Sequence, residues 1–247
     1  MRERSMFPQD LRHSRLIDVD LSESRLHNIW MENARITGAD FINTEIWGSC
    51  EGLTWNGVPI APLVEAELLR MFPEGAKLKP KTPDEFREAW SVIEDLWANT
   101  IERVRELPEP TLHERVDGEF SFVETMRHLI GGIDSWVLRC VLGAQGHRST
   151  LGGQSVRKFG DVGPDPNDPS LDEVVAVHQE RMARVRAVMD GLTESELDRV
   201  CDQNPEPGYP AVTTHPVRRC LRSPINEGWE HHRYACRDLD VLHARER

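Results

Sequence analysis

Apolar residues along this chain keep two rhythms. From residue 10 to residue 48, Leu11, Leu16, Leu21, Leu26, Met31, Ile36, Phe41 and Ile46 recur every five residues without a slip. Two residues before each of the last seven sits a mostly small or β-branched residue: Ser14, Val19, Ser24, Ile29, Ala34, Ala39 and Thr44. Neither a helix nor a strand has a period of five. A square coil with one inward residue per side does, its leucines stacked in ladders and its Asp, Arg, Glu and Asn facing water. At about four repeats per coil the stretch makes about two coils, too short to stand alone. The Asn56-Gly57 turn signal and the apolar Val58-Pro59-Ile60-Ala61-Pro62-Leu63-Val64 close it. Residues 1–64 are therefore expected to form a short β module that docks on the rest of the chain. A DNA-mimicking rod would need many more coils.

After a passage through residues 65–81, the rhythm becomes helical. Thr82-Pro83-Asp84-Glu85 reads as an N-cap, a proline at the first helical position and a capping-box glutamate. Phe86, Trp90, Ile93, Trp97, Ile101 and Val104 supply the stripe of a first helix, which ends before Pro108. Ser121 to Glu124 is a second box, opening a helix with the stripe Leu129, Ile133, Trp136 and Cys140 that stops at Gly143. Residues 144–169, rich in Gly, Pro and Asp, read as a long crossing loop over the site. Ser170 to Glu173 opens a third helix with the seam Leu171, Val175, His178, Met182, Val185, Met189 and Leu192. Thr193 caps a short extra piece, and a proline-rich turn (Pro205, Pro207, Pro210) leads to the last helix. Its seam is Leu221, Ile225, Gly228, His232, Ala235, Leu239 and Leu242. The expected fold is mainly α, a four-helix bundle over residues 82–247 preceded by the β module.

Composition narrows the function more than the fold. The 247 residues carry a formal net charge of −12, which speaks against nucleic acid as a partner, since phosphate neutralisation needs a basic surface. The five cysteines (Cys50, Cys140, Cys201, Cys220, Cys236) are scattered, with no C-x-x-C pair, and fit reduced thiols better than a disulfide framework. Met1 to Met6 lacks the apolar run of a signal peptide, and no stretch approaches the roughly 20 apolar residues of a membrane span. The expectation is a cytoplasmic protein without a membrane partner. Wide apolar helix faces and seven tryptophans are compatible with a homodimer.

Candidate chemistry gathers on the last helix, around Glu227-Gly228-Trp229-Glu230-His231-His232. Here the core-facing side carries imidazole where a bundle normally places leucine. Glu227 and His231 are four apart, one turn on one face, the spacing with which two side chains hold one metal ion. His231 and His232 point about 100° apart, so they do not serve one ion equally. On the second helix His128 lies beside the apolar stripe, with Gly131 and Gly132 one turn on. Two glycines inside a helix cost about 1 kcal/mol each relative to alanine and leave space beside the imidazole for a metal-bound water, a substrate or a closely packed helix. His178 is a further imidazole in a seam, either a site residue or a buried histidine bonded to a carboxylate. No Ser/His/Asp or Cys/His arrangement has recognisable local spacing. Leu151-Gly152-Gly153 lacks the Lys-Ser/Thr of a phosphate loop.

Ser121-Phe122-Val123-Glu124-Thr125-Met126-Arg127-His128-Leu129, with Asp134-Ser135-Trp136 after it, resembles the first metal-ligand helix of the DinB-like superfamily. Asn226 to Leu239, with its Trp-Glu-His-His-Arg-Tyr-Ala core, resembles the matching last helix. The period-five stretch is similar to the pentapeptide-repeat right-handed β-helix, and its union with such a bundle resembles a recurrent actinobacterial arrangement. The resemblance implies a DinB-like four-helix bundle holding a divalent ion, zinc or nickel. One histidine on helix two and two ligands one turn apart on helix four would bind it. Carried over, His128 and His231 are ligands and Glu227 takes a position where familiar members have histidine; His232 is the competing neighbour. Gly228 stands where related sequences carry glutamate, and Pro224 should kink the helix just before Glu227.

Relatives include thiol-dependent transferases and isomerases that use bacillithiol or mycothiol. The resemblance thus implies a small-molecule thiol and an electrophilic substrate, or a related isomerase or hydrolase reaction. Glu230 or Asp134 would act as base or orient a ligand, unless both are surface charges. Cys236, one turn beyond His232, is either a softer ligand or a small core residue. The alternative is a non-catalytic interaction protein that retains the fold with a degenerate metal site.

Overall fold

The computed structural model describes residues 10–245 apart from 27–28, 153–168, 203, 205–207 and 211–212. Two compact units divide between Ile46 and Trp47.

In the first unit the period of five is written into the backbone. His13, Asp18, Glu23, Asn33 and Asn43 have φ between 51° and 64°, and Gly38 continues the series at 67°. Ser14 N–H donates to Leu11 O, and Ser24 N–H to Leu21 O, each at 3.1 Å. Each closes a turn whose third residue is left-handed, the type II arrangement. No strand occurs among the described residues of this unit, and no right-handed β-helix is shown. The expected inward ladder is not buried: Leu11 through Ile46 are between 41% and 73% exposed. Eight repeats are too few to enclose a ladder of side chains.

The second unit opens with a two-stranded antiparallel hairpin, β1 (Thr54–Trp55) and β2 (Val58–Pro59), turned by Asn56-Gly57 with both residues at positive φ. It continues into α1 (Ala61–Met71), a helix with no buried residue and no side-chain cap. A 3-10 turn (Pro73–Lys77) follows. This segment meets the last helix through Phe72, edge-on to Trp229 at 5.8 Å between ring centroids.

Four long helices make the core: α2 (Pro83–Val104), α3 (Phe122–Ile133), α4 (Leu171–Asp190) and, after the short α5 (Glu194–Asp198), α6 (Val217–Arg245). Thr82 with Glu85, Ser121 with Glu124 and Ser170 with Glu173 each form both halves of a capping box. Each box satisfies orphan amides at a helix start. The first-helix stripe is at most 4% exposed. In contact, α2 lies between α4 and α6, and α3 between the same two, so the four helices close a ring. Beyond Ile133, α3 widens into a π-helical segment, Asp134–Val141, continued by Leu142 N–H donating to Val137 O. Such widening inside a helix is frequent near functional sites. α6 stays helical through Pro224. Of the crossing loop, residues 144–152 are described; residues 153–168, and Pro205 and Pro207 of the proline-rich turn, lie outside the described residues.

Candidate metal centre

His128 reaches the site from α3, whose start is held by buried charge. Glu124, one turn earlier, accepts from Ser121 N–H at 2.9 Å and pairs with Arg115 at 2.6 Å, both side chains being almost fully enclosed. Glu227 and His231 reach the site from α6. His128 Nε2 lies 3.1 Å from Glu227 Oε2, and His231 Nε2 lies 3.3 Å from the same oxygen. The imidazole centroids are 4.6 Å apart. One donor atom from each of the three residues falls within 4.8 Å of the others. All three side chains are partly buried, open enough to be reached from solvent.

The two imidazoles beside Glu227 hold its carboxyl down at about 2, against the opposing effect of burial. It is an anion at neutral pH. Two ring nitrogens and one carboxylate oxygen form a donor set suited to a divalent ion with a fourth position left open. Bonds of about 2.0–2.1 Å in a tetrahedral site put donors about 3.3 Å apart, and both His–Glu distances meet that spacing. The residues present fit the group.

Around the triad stands an aromatic wall. Phe120 faces His128 at 5.8 Å, and Tyr234 stands edge-on to His231 at 5.9 Å. Trp47 stands edge-on to Tyr234, and the Arg237 guanidinium covers Trp47 at 4.7 Å. Arg237 is itself paired with Glu119 and Asp238, each at 2.7 Å. Burial raises the Tyr234 phenol above its ordinary range. Phe120 and Trp47 did not stand out in the sequence, because nothing local marks a residue as facing a site built by another helix.

The other expected site residues fall elsewhere. His232 turns to the opposite side, edge-on to Trp97 at 5.9 Å and stacked on Trp229 at 6.4 Å, with Cys236 Sγ 3.5 Å from its Nε2. Burial lowers its pKa. It is outside the triad, and so is Cys236, as the 100° step along a helix requires. Asp134 is buried, not a surface charge. Its Oδ1 accepts from Arg181 Nε and its Oδ2 from Ser149 N–H, both at 2.6 Å. Both oxygens are engaged in tying α3 to α4 and to the loop, so a role as proton acceptor is not what its surroundings support. Glu230 is exposed beside the triad; desolvation, then the charge of Glu227, raises its carboxyl.

His178 is 2% exposed, edge-on to Trp97 at 5.8 Å, and bonded to no carboxylate among the described residues. Gly228 backs onto α2: a Cβ there would lie 3.0 Å from Ile93 Cγ2, and its carbonyl accepts from Trp97 Nε1 at 3.0 Å. The glycine serves close packing. Gly152 serves the approach of the loop to α3: a Cβ there would lie 2.9 Å from Ile130 Cγ2 and 3.2 Å from the Gly131 backbone nitrogen. The scattered cysteines are partly gathered by the fold, with Cys201 Sγ 3.9 Å from Cys220 Sγ, both free thiols.

No helix among the described residues is long and apolar enough to cross a membrane. In comparison with known protein families, the model of the DinB superfamily matches residues 92–235, more than half of the chain, from within α2 through the triad. No curated protein and no solved structure matches it.

Proposed function

The chain belongs to the DinB superfamily, and on that premise we propose that it is a metal-dependent transferase acting on a low-molecular-weight thiol. The thiol would be of the mycothiol type and the second substrate an electrophilic carbon compound. His128, Glu227 and His231 would hold one divalent ion, zinc or nickel. The observation that carries the reading is the single carboxylate oxygen of Glu227 set between two imidazoles from two helices. A divalent ion in such a set supplies positive charge that lowers the pKa of a thiol or water bound at the open position.

The chain's own residues do the rest. Glu227 contributes a full negative charge and fixes both rings by its position. Phe120 and Tyr234 stand against the two imidazoles and would help to hold the rings in place. Glu230, exposed beside the triad and with a carboxyl raised above its ordinary value by desolvation and by Glu227, would take the thiol proton on its carboxylate and release it to solvent. Asp134 is withdrawn from that role by Arg181 and Ser149.

A non-catalytic interaction protein is the competing reading, prompted by Gly228, by Pro224 and by a head module whose only obvious use is as a surface. Gly228 faces Ile93, so its missing side chain takes no ligand from the triad. Pro224 leaves Glu227 within 3.1 Å of His128. Both observations favour a working site.

Metal analysis of the untagged chain beside His128→Ala and His231→Ala tests the proposal. About one equivalent of zinc or nickel, lost in both variants, is the expected result, followed by turnover of a thiol with an electrophile. Metal-free protein in all three preparations, with melting indifferent to added zinc or nickel, would sink it.

A further inference from the structure

At the centre of the ring of helices, beside Glu227, lies a cavity of about 10 Å³. All four long helices line it: Trp90 and Trp97 from α2, Gly132 from α3, His178 from α4, Glu227 and Gly228 from α6. The wall is mostly apolar. Two of its residues nevertheless carry buried polar atoms with no hydrogen-bond partner among the described residues, Trp90 Nε1 and His178 Nδ1. These residues are 1% and 2% exposed. Trp97 shows the contrast, since its Nε1 is satisfied by Gly228 O at 3.0 Å. Native interiors rarely leave such atoms unpaired, and here two residues that line one cavity each carry one.

We propose that this cavity is a built site for one neutral oxygen atom, a water or a hydroxyl, that bonds Trp90 Nε1 and His178 Nδ1 together. The chemistry selects that ligand. An indole N–H only donates, so the atom beside Trp90 accepts. A cation is thereby excluded. An anion is disfavoured by Glu227 on the same wall. Burial keeps His178 neutral, with its pKa lowered to about 4, so its Nδ1 accepts or donates according to tautomer, and a hydroxyl oxygen answers either. The volume is that of about one water-sized sphere. On the α3 side the space is open: a Cβ at Gly132 would meet nothing within 4 Å.

The oxygen has two sources, a resident water or the hydroxyl of a molecule whose reactive end lies at the triad. The second source rests on the metal reading above; the site itself rests only on Trp90 and His178. Crystals of the full chain, zinc-loaded and zinc-free, examined before and after a methanol soak, separate them. Density within hydrogen-bond reach of both nitrogens before the soak identifies a resident water. Density only after the soak identifies a site for a ligand's hydroxyl. Either supports the proposal, in crystals with or without zinc, so failure of the metal reading is seen separately. An empty position in every crystal, or either nitrogen bonded to a protein group instead, overturns it. The variants Trp90→Phe, His178→Leu and their combination give a second readout. A shared oxygen makes the double variant's loss of stability smaller than the sum of the single losses, whereas additive losses would argue against it.

Discussion

Two sets of imidazoles in one bundle are treated in opposite ways. His128 and His231 stand at a partly open rim and share the carboxylate of Glu227. His178 and His232 stand edge-on to Trp97, and the Nδ1 of each is buried without a partner among the described residues. For both of these inner rings burial lowers the pKa. The residue type is the same; the neighbour decides its chemistry. A carboxylate makes an imidazole a donor for a cation, while indole and aliphatic walls keep it neutral and without charge.

The strongest way to break the comparison is to load the outer set. With free metal at about 1,000 times the dissociation constant, binding to the native state alone raises stability by about 4.1 kcal/mol. Unfolding by urea with and without zinc should show that gain in the parent chain and lose it in His128→Ala. His178→Leu should keep it. If His178→Leu abolished the gain and His128→Ala did not, the roles of the two sets would have to be exchanged.

Acid separates them next. The pKa of His178 is about 4 when folded and 6.5 in its ordinary state. Above pH 6.5 neither state carries the proton. As pH falls from 6.5 toward 4 the unfolded chain takes it and the native chain does not, so stability is lost, on the order of 3 kcal/mol in all. Glu227, depressed to about 2 from 4.5, works in a lower window. In metal-free protein its contribution is intact above pH 4.5 and disappears as pH falls toward 2. Denaturant midpoints from pH 7 to pH 4 should therefore decline in the parent chain and flatten in His178→Leu.

The two regions also differ in how readable they were. The helix starts were legible because a capping box is a local contact between residues three apart, and the seams because burial repeats with the helix. The convergence of His128 with Glu227 and His231 was reachable from a family resemblance and from one-turn spacing. The fate of Asp134 was not, because its partner Arg181 is 47 residues away on α4. Nor was the common position of Trp90 and His178, which only the closing of the ring brings to one cavity. The helix α1 escaped notice since it buries nothing and has no side-chain cap, leaving no stripe to see. In the period-five stretch the opposite occurred: the repeat set the backbone turns, but a periodic apolar side chain is buried only if something covers it.

The smallest expected effect tests the space between the two sets, through a pair of glycines. Gly132→Ala adds a methyl that meets nothing within 4 Å. It gains about 0.8–1.0 kcal/mol of helix preference. Gly228→Ala gains the same preference but brings its Cβ to 3.0 Å from Ile93 Cγ2, and overpacking a core costs about 1–3 kcal/mol. Thermal unfolding should therefore find the first variant slightly more stable than the parent and the second less stable, by up to about 2 kcal/mol once the helix gain is subtracted. A Gly132→Ala that destabilises would mean its side of the cavity is already filled, which is the outcome expected of a ligand larger than one oxygen.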